Sequence, residues 1–312
     1  MNYEGQICRA PMERASYMLP VTVGCPYNQC KFCNLFRHLK YRELPINQIE
    51  EELKRVKDLG GSPKRVFLGD GNAFGLKTER LVEILQLIQM YFPQCEAVNM
   101  DATVTSVLKK TDDELKRLYE NKVRHLYIGI ESGLDDVLSF MNKDHNIEEA
   151  YEAIERLQEA GLIYDAHIMT GVAGHGRGME NAEALAHFLN STHPANVVNF
   201  SMFLSKEVPL YKDIEKGSFK PADEVENMKE EYRLLELLAS NEDSNGYKIK
   251  YDGFHDYIKV RTRGNLPNDR ERMLLHLKKE IERFDGKKIY SFVYGECPNL
   301  SKCDCNEGIW MC

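Results

Sequence analysis

Cys25, Cys30 and Cys33 fall in one short stretch, Cys25-Pro26-Tyr27-Asn28-Gln29-Cys30-Lys31-Phe32-Cys33, directly after the apolar run from Tyr17 to Val23. Thiolates are the soft ligands that iron prefers. Three of them can hold three irons of a four-iron four-sulfur cluster and leave the fourth iron open to a small molecule. A structural zinc knuckle is the alternative; it needs four closed ligands, and His38 is the nearby residue that could complete one. A second group of thiols, Cys297, Cys303, Cys305 and Cys312, gathers four of the nine cysteines near the end of the sequence. Its spacings of five, one and six residues do not follow the paired Cys-x-x-Cys knuckles of zinc ribbons. An auxiliary iron-sulfur cluster is therefore weighed there against zinc and against free thiols, with Pro298 and Gly308 supplying turns.

These residues need elements to position them, and strand-helix alternation supplies them. The branched run Tyr17 to Val23 reads as a strand that delivers the cysteine loop at its C-terminal end, where α/β barrels build their sites. Pro45 opens a helix to about Leu59, with Ile49, Leu53 and Val56 at helical spacing and Gly60-Gly61 as its stop. Strands at Arg65–Leu68, Ala97–Asp101, His125–Ile130, Ile163–Thr170 and Val197–Leu204 follow, separated by helical runs. Such alternation implies parallel strands with right-handed crossovers, and a doubly wound open sheet also satisfies it. From Ser205 onward the pattern changes to the polar helices Ala222–Ala239 and Asn268–Phe284, joined by a mixed segment Tyr247–Arg263. The expected organisation is an N-terminal segment at 1–16, a barrel at 17–205 and a mainly helical C-terminal region at 206–312. The charged runs Glu226–Glu231 and Lys278–Arg283 read as solvated helix faces.

Composition narrows the setting. Hydrophobic content of 43% and charged content of 29% over 312 residues describe an ordinary soluble globule. The apolar runs are too short for a membrane span, and the first residues lack a basic region followed by an apolar core. Crowded thiols in a reducing compartment favour metal ligation over disulfides, so the expected address is the cytoplasm. A net charge of −8 argues against a nucleic-acid partner.

The cysteine loop, with aromatic Phe32 just before the third cysteine, resembles the cluster loop of the radical S-adenosylmethionine (radical SAM) superfamily. Four residues separate Cys25 from Cys30, where the most widespread pattern of that superfamily has three. Gly69-Asp70-Gly71 stands where the superfamily has a glycine-glycine-glutamate motif that receives the cofactor's ammonium, although glycines after a strand also serve plain turn geometry. Tyr127-Ile128-Gly129-Ile130-Glu131-Ser132-Gly133, continuing to Met141-Asn142-Lys143, is similar to a strand and helix of the branch with oxygen-independent coproporphyrinogen oxidase, the methylthiotransferases and the Elongator catalytic subunit. By that resemblance Glu131 and Ser132 face the cofactor; a helix cap is the structural alternative for Ser132. The strand bearing His167 and Met169, ending at Gly171, is similar to the one that packs by the adenine. His167 is weighed as a catalytic candidate against a satisfied core histidine. Val208-Pro209-Leu210-Tyr211 also resembles a segment of that branch, and equally reads as a helix start.

The resemblance implies an α/β fold, a partial (β/α)6 TIM-type barrel with a C-terminal mainly helical extension. It implies a 4Fe-4S cluster on Cys25, Cys30 and Cys33, with S-adenosylmethionine near Phe32, Gly69, Asp70, Gly71, Glu131, Ser132 and Gly171. The implied activity is reductive cleavage of S-adenosylmethionine to a 5′-deoxyadenosyl radical that abstracts hydrogen from a small-molecule or peptide substrate. An electron donor such as flavodoxin or ferredoxin goes with it, and the basic run Arg37, His38, Lys40, Arg42 either meets an anionic partner or is a solvated loop. The rival functions are a non-catalytic iron-sulfur or haem chaperone on the same fold and a structural zinc protein.

Overall fold

Strand and helix alternate as the apolar periodicity predicts. The computed structural model describes residue 4, residues 8–238 and residues 247–291; Cys297, Cys303, Cys305 and Cys312 lie outside the described residues. The barrel elements are β1 (Tyr17–Pro20), α1 (Ile46–Asp58), β2 (Arg65–Gly69), α2 (Thr78–Tyr91), β3 (Ala97–Ala102), α3 (Val104–Leu108), α4 (Asp112–Glu120) and β4 (Val123–Glu131). They continue with α5 (Asp135–Phe140), α6 (Ile147–Glu159), β5 (Ile163–Thr170), α7 (Gly178–Thr192) and β6 (Asn196–Ser201). Beyond these come α8 (Pro209–Glu215), α9 (Glu224–Leu237), β7 (Ile249–His255), β8 (Val260–Leu266) and α10 (Arg270–Phe284). Helix starts follow local chemistry: Thr111 with Glu114, Asn146 with Glu149 and Asp223 with Glu226 each form a reciprocal capping box.

One sheet carries β1 to β8 in sequence order. Pairing is parallel from β1 through β7, and β8 turns back antiparallel on β7. The helix-facing side is a continuous apolar layer that includes Val66, Leu68, Val98, Met100, Leu126, Ile128, Ala166, Ile168 and Val197, all buried under the helices. The C-terminal region is mainly helical, as expected, but the mixed segment Tyr247–Arg263 supplies two strands. β7 pairs with β6 from Asn196↔Lys250 to Phe200↔Phe254, so the sheet runs on beyond residue 205. Charged and polar residues on the outer positions of these strands hide their alternation in the sequence.

The concave side is polar at the N-terminal ends of the strands. Glu13, from the short turn Pro11–Glu13, is 2% exposed and enters there. Asn99 Nδ2 and the Tyr127 hydroxyl each donate to Glu13 Oε1 at 2.8 Å, and the Ser16 hydroxyl donates to Oε2. Beside them His125 Nδ1 meets Asp165 Oδ2 at 2.6 Å and Asn196 Nδ2 donates to Asp165 Oδ1 at 2.5 Å. A buried carboxylate is tolerated only when so satisfied. The turn Pro11–Glu13 thus closes the lower end of the barrel through Glu13.

The run Glu226–Glu231 departs from the expected solvated face. Glu230 and Glu231 are buried, as is Glu224 near the start of the same helix, whereas Lys278–Arg283 keeps its lysines and Arg283 in solvent. His255 on β7 explains part of this, since its ring nitrogens meet Glu224 Oε2 and Glu231 Oε2 at 2.8 Å each. Burial alone would lower His255, but the two carboxylates outweigh it and raise its pKa to about 10. The unfolded imidazole titrates near 6.5, so this contribution to stability is complete below that pH and is lost as pH rises through about 10. The unfolding free energy from urea titration, and with it the midpoint, is expected to fall between pH 7 and 9.5, the free energy by at most ~1.4 kcal/mol per pH unit from this group. An unchanged or rising midpoint would refute that assignment.

Candidate functional site

The cysteine loop leaves the top of β1 and is gripped from both sides. On one side the Lys31 N–H donates to Met141 O at 2.9 Å, the Tyr27 hydroxyl donates to Asn142 O at 2.6 Å, and Asn142 Nδ2 donates to Gln29 O at 3.1 Å. On the other, the Leu210 N–H of α8 donates to Lys31 O at 3.1 Å, and Lys31 Nζ pairs with Asp213 at 3.0 Å. Val208-Pro209-Leu210 is therefore both the helix start, with Pro209 at its first position, and a clamp on the loop. Phe32 packs into an apolar cluster with Val137, Met141, Val172 and Leu210. Arg37 turns inward and donates to the carbonyls of Cys30 and Cys33, so it belongs to the loop, while His38 and Lys40 stay exposed.

Cys25, Cys30 and Cys33 are free thiols, each half-buried. Burial pushes Cys30 up to about 11 against the pull of Lys143, and pushes Cys33 up as well. Such thiols give up their protons to a metal and hold it as thiolates. Among the described residues no three His, Cys, Asp or Glu side chains converge on a single-ion site. Three thiols on one loop are the donor set that three irons of a four-iron four-sulfur cluster would take.

Gly71 brings the β2 loop against this one: a Cβ on it would lie 2.6 Å from Gly24 O and 2.9 Å from Cys25 Cα. Asp70, beside it, is buried, and its carboxylate accepts the Gly24 N–H; burial still pushes it up to about 6. Gly69 packs on Met18, where a Cβ would fall 2.6 Å from its methyl carbon.

At the top of β4 the ladder with β5 slips between Gly129 and Glu131, and Glu131 takes a left-handed φ of 64°. A register slip of this kind re-aims a side chain, here onto Lys143. Lys143 Nζ lies 3.3 Å from Glu131 Oε1, with the two side chains 6% and 12% exposed. A Cβ on Gly129 would sit 2.6 Å from that carboxylate and 3.2 Å from the ammonium, so glycine makes the room for the pair. Burial pulls the Lys143 pKa down, but Glu131, Cys30 and Asp144 outweigh it and raise it, keeping the ammonium charged. Lys143 carries no role in the sequence reading, although Met141-Asn142-Lys143 is part of the resemblance. A lone lysine in a turn has no periodic signal; its charge matters only because β4 puts Glu131 opposite.

Ser132 is placed differently from Glu131. It is fully buried, donates to Asn181 Oδ1 at 2.6 Å and accepts from the Leu134 N–H at 3.1 Å. Its hydroxyl is thus spent on the turn into α5. Gly171, at φ 84°, donates its N–H to Glu230 at 2.9 Å. His167 faces the barrel between Tyr127 and Phe200, with ring centroids 5.5 and 5.7 Å away. Its buried Nε2 finds no hydrogen-bond partner among the described residues, and neither does Asp101 Oδ1 on β3. Burial lowers His167 to about 4; burial, with Asp70 nearby, raises Asp101 to about 8. Burial thus favours the uncharged form of each, and both side chains are aimed into the lumen.

A sequence model of the radical SAM superfamily matches residues 19–189, more than half of the 312. That superfamily works with a 4Fe-4S cluster and S-adenosylmethionine. Curated relatives include the heme chaperone HemW of Bacillus subtilis, 21% identical over 75% of this chain and 58% of its own. A tRNA-2-methylthio-N(6)-dimethylallyladenosine synthase of Clostridium tetani is 22% identical over 83% of this chain and 61% of its own. The chain thus spans less than two thirds of either relative. Among solved structures, coproporphyrinogen III oxidase of Escherichia coli aligns with a TM-score of 0.55 at 12% identity, over 77% of this chain and 62% of that one. The archaeal Elp3 of Methanocaldococcus infernus aligns at 0.55 and 14% identity, over 85% and 63%. Among the described residues no helix is long and apolar enough to cross a membrane. The family match covers the cysteine loop, the Gly69–Gly71 turn and the Glu131–Lys143 pair alike, and the chain belongs to the radical SAM superfamily.

Proposed function

We propose that the chain is a radical SAM enzyme acting on a small-molecule or peptide substrate, with a flavodoxin- or ferredoxin-like protein as electron donor. The observation that carries this reading is the buried Glu131–Lys143 pair beside Cys30. The methionine end of S-adenosylmethionine bears an ammonium and a carboxylate, and a zwitterion is matched by an ion pair of the opposite sense: Glu131 accepts from the ammonium and Lys143 receives the carboxylate. Bound together, the cluster and S-adenosylmethionine supply, on one-electron reduction, methionine and a 5′-deoxyadenosyl radical that takes a hydrogen atom from the substrate. The chain's own residues hold and shield. Gly71 and Gly129 clear the space, Phe32 seals the loop against the apolar cluster, and Asp101 Oδ1 and His167 Nε2, unpartnered among the described residues, offer hydrogen bonds in the lumen. The exposed His38 and Lys40 give an acidic donor protein a landing place near the cluster.

A second reading, a non-catalytic chaperone on the same fold, is favoured by the match to a named heme chaperone over 75% of this chain. Anaerobic reconstitution with iron and sulfide, then reduction in the presence of S-adenosylmethionine, separates the two. Release of 5′-deoxyadenosine above a cluster-free control is expected of the enzyme. A loaded cluster that binds S-adenosylmethionine and releases none would leave the chaperone standing.

A further inference from the structure

Two elements of the upper rim of the barrel meet on one carboxylate that belongs to neither, and a third is joined to it through Asn181. Glu230, on α9 in the C-terminal region, is 1% exposed. Its Oε2 accepts the Gly171 N–H at 2.9 Å, at the end of β5, and its Oε1 accepts Asn181 Nδ2 at 2.7 Å, from α7. Asn181 Oδ1 in turn accepts the Ser132 hydroxyl at 2.6 Å, at the end of β4. Space has been cleared for this contact, since a Cβ on Gly178 would come within 2.9 Å of Glu230 Oε2.

We infer that Glu230 is a positioning residue of the cofactor site, fixing the rim after β4, which carries Glu131, relative to the rim after β5, through the chain Ser132–Asn181–Glu230–Gly171. This rests on the reading of that rim as the S-adenosylmethionine site. A buried carboxylate is expensive, and a glutamate where only packing is needed would be replaced at less cost by an apolar residue. Here both its oxygens are used, each on a different element. Asn227, one turn earlier on α9, backs the same glycine: a Cβ on Gly171 would meet its Oδ1 at 2.5 Å. Burial raises Glu230 to about 7, with His255 of β7 and Glu226 of its own helix as the charged groups facing it. Loss of its charge would remove one acceptor and slacken the link.

The donor-acceptor order gives the experiment. In Glu230→Gln one oxygen becomes an NH2 group, so either the Gly171 N–H or Asn181 Nδ2 loses its acceptor. Adding Asn181→Asp exchanges acid and amide: the amide now at position 230 accepts from Gly171 and donates to position 181, whose carboxylate still accepts from Ser132. The single Glu230→Gln variant is expected to bind S-adenosylmethionine about tenfold more weakly in the reconstituted holoprotein, with the iron and sulfide content unchanged. The double variant is expected to return to within about threefold of the parent. Hydrogen exchange of residues 132–134 and 171–174 in the metal-free protein, faster in the single variant and restored in the double, reads the link without any cofactor. Unchanged affinity in Glu230→Gln, or a weakened variant that the second substitution does not rescue, would overturn the inference. A parent holoprotein that binds no S-adenosylmethionine would instead overturn the functional reading and the cofactor role of Glu230 with it. The exchange data would then still decide whether α9 couples the two loops.

Discussion

Alanine at Cys25, Cys30 or Cys33 leaves a chain that assembles no stable 4Fe-4S cluster at that loop and releases 5′-deoxyadenosine only at background. On the proposed reading each thiolate is one of three protein ligands, and the loop holds no spare. Cys95 cannot stand in, because it is buried in the helix layer with its thiol turned to the Ala97 carbonyl at 3.4 Å. The loop itself should survive the change, since its clamps run through Lys31, Tyr27, Asn142 and Leu210 and through no thiol. Iron and sulfide analysis beside a thermal melt checks this: lost cluster with a melting temperature close to the parent apoprotein is the expected pair. Full iron, sulfide and turnover in any of the three variants would sink the assignment.

Lys143→Ala is expected to weaken S-adenosylmethionine binding by on the order of 100-fold while sparing the cluster, because truncating one partner of a buried charge pair leaves the other uncompensated. Glu131→Ala acts in the same direction. Lys143→Arg, which keeps the charge, should recover most of the affinity, and this separates a charge role from packing. Equilibrium dialysis of the reconstituted proteins measures it. Parental affinity in both Lys143→Ala and Glu131→Ala would remove the pair from the site.

How far these features are legible in the sequence follows from what kind of signal each leaves. The cysteine loop is local, with all three thiols in one stretch, and the strands β1 to β6 are buried on their helix-facing side, so apolar residues mark them. β7 and β8 escape notice because Lys250, Asp252, Arg261 and Arg263 interrupt any run that would announce a strand. Glu230 and Glu231 look like solvent-facing charge because nothing near them in sequence tells of His255, Asn181 or Gly171. Ser132 and Glu131 are adjacent and read together, yet the register slip at Gly129 sends one side chain to Lys143 and the turn takes the other. Glu13 has no periodicity to be read, since a plug of one turn has none.

The most direct measurement of the central claim is the electron paramagnetic resonance spectrum of the anaerobically reduced holoprotein before and after S-adenosylmethionine is added. An open iron held beside the Glu131–Lys143 pair predicts a reduced-cluster signal whose shape changes on addition, and a change that Lys143→Ala abolishes at the same cofactor concentration. A cluster signal that S-adenosylmethionine leaves untouched in the parent protein would contradict the account.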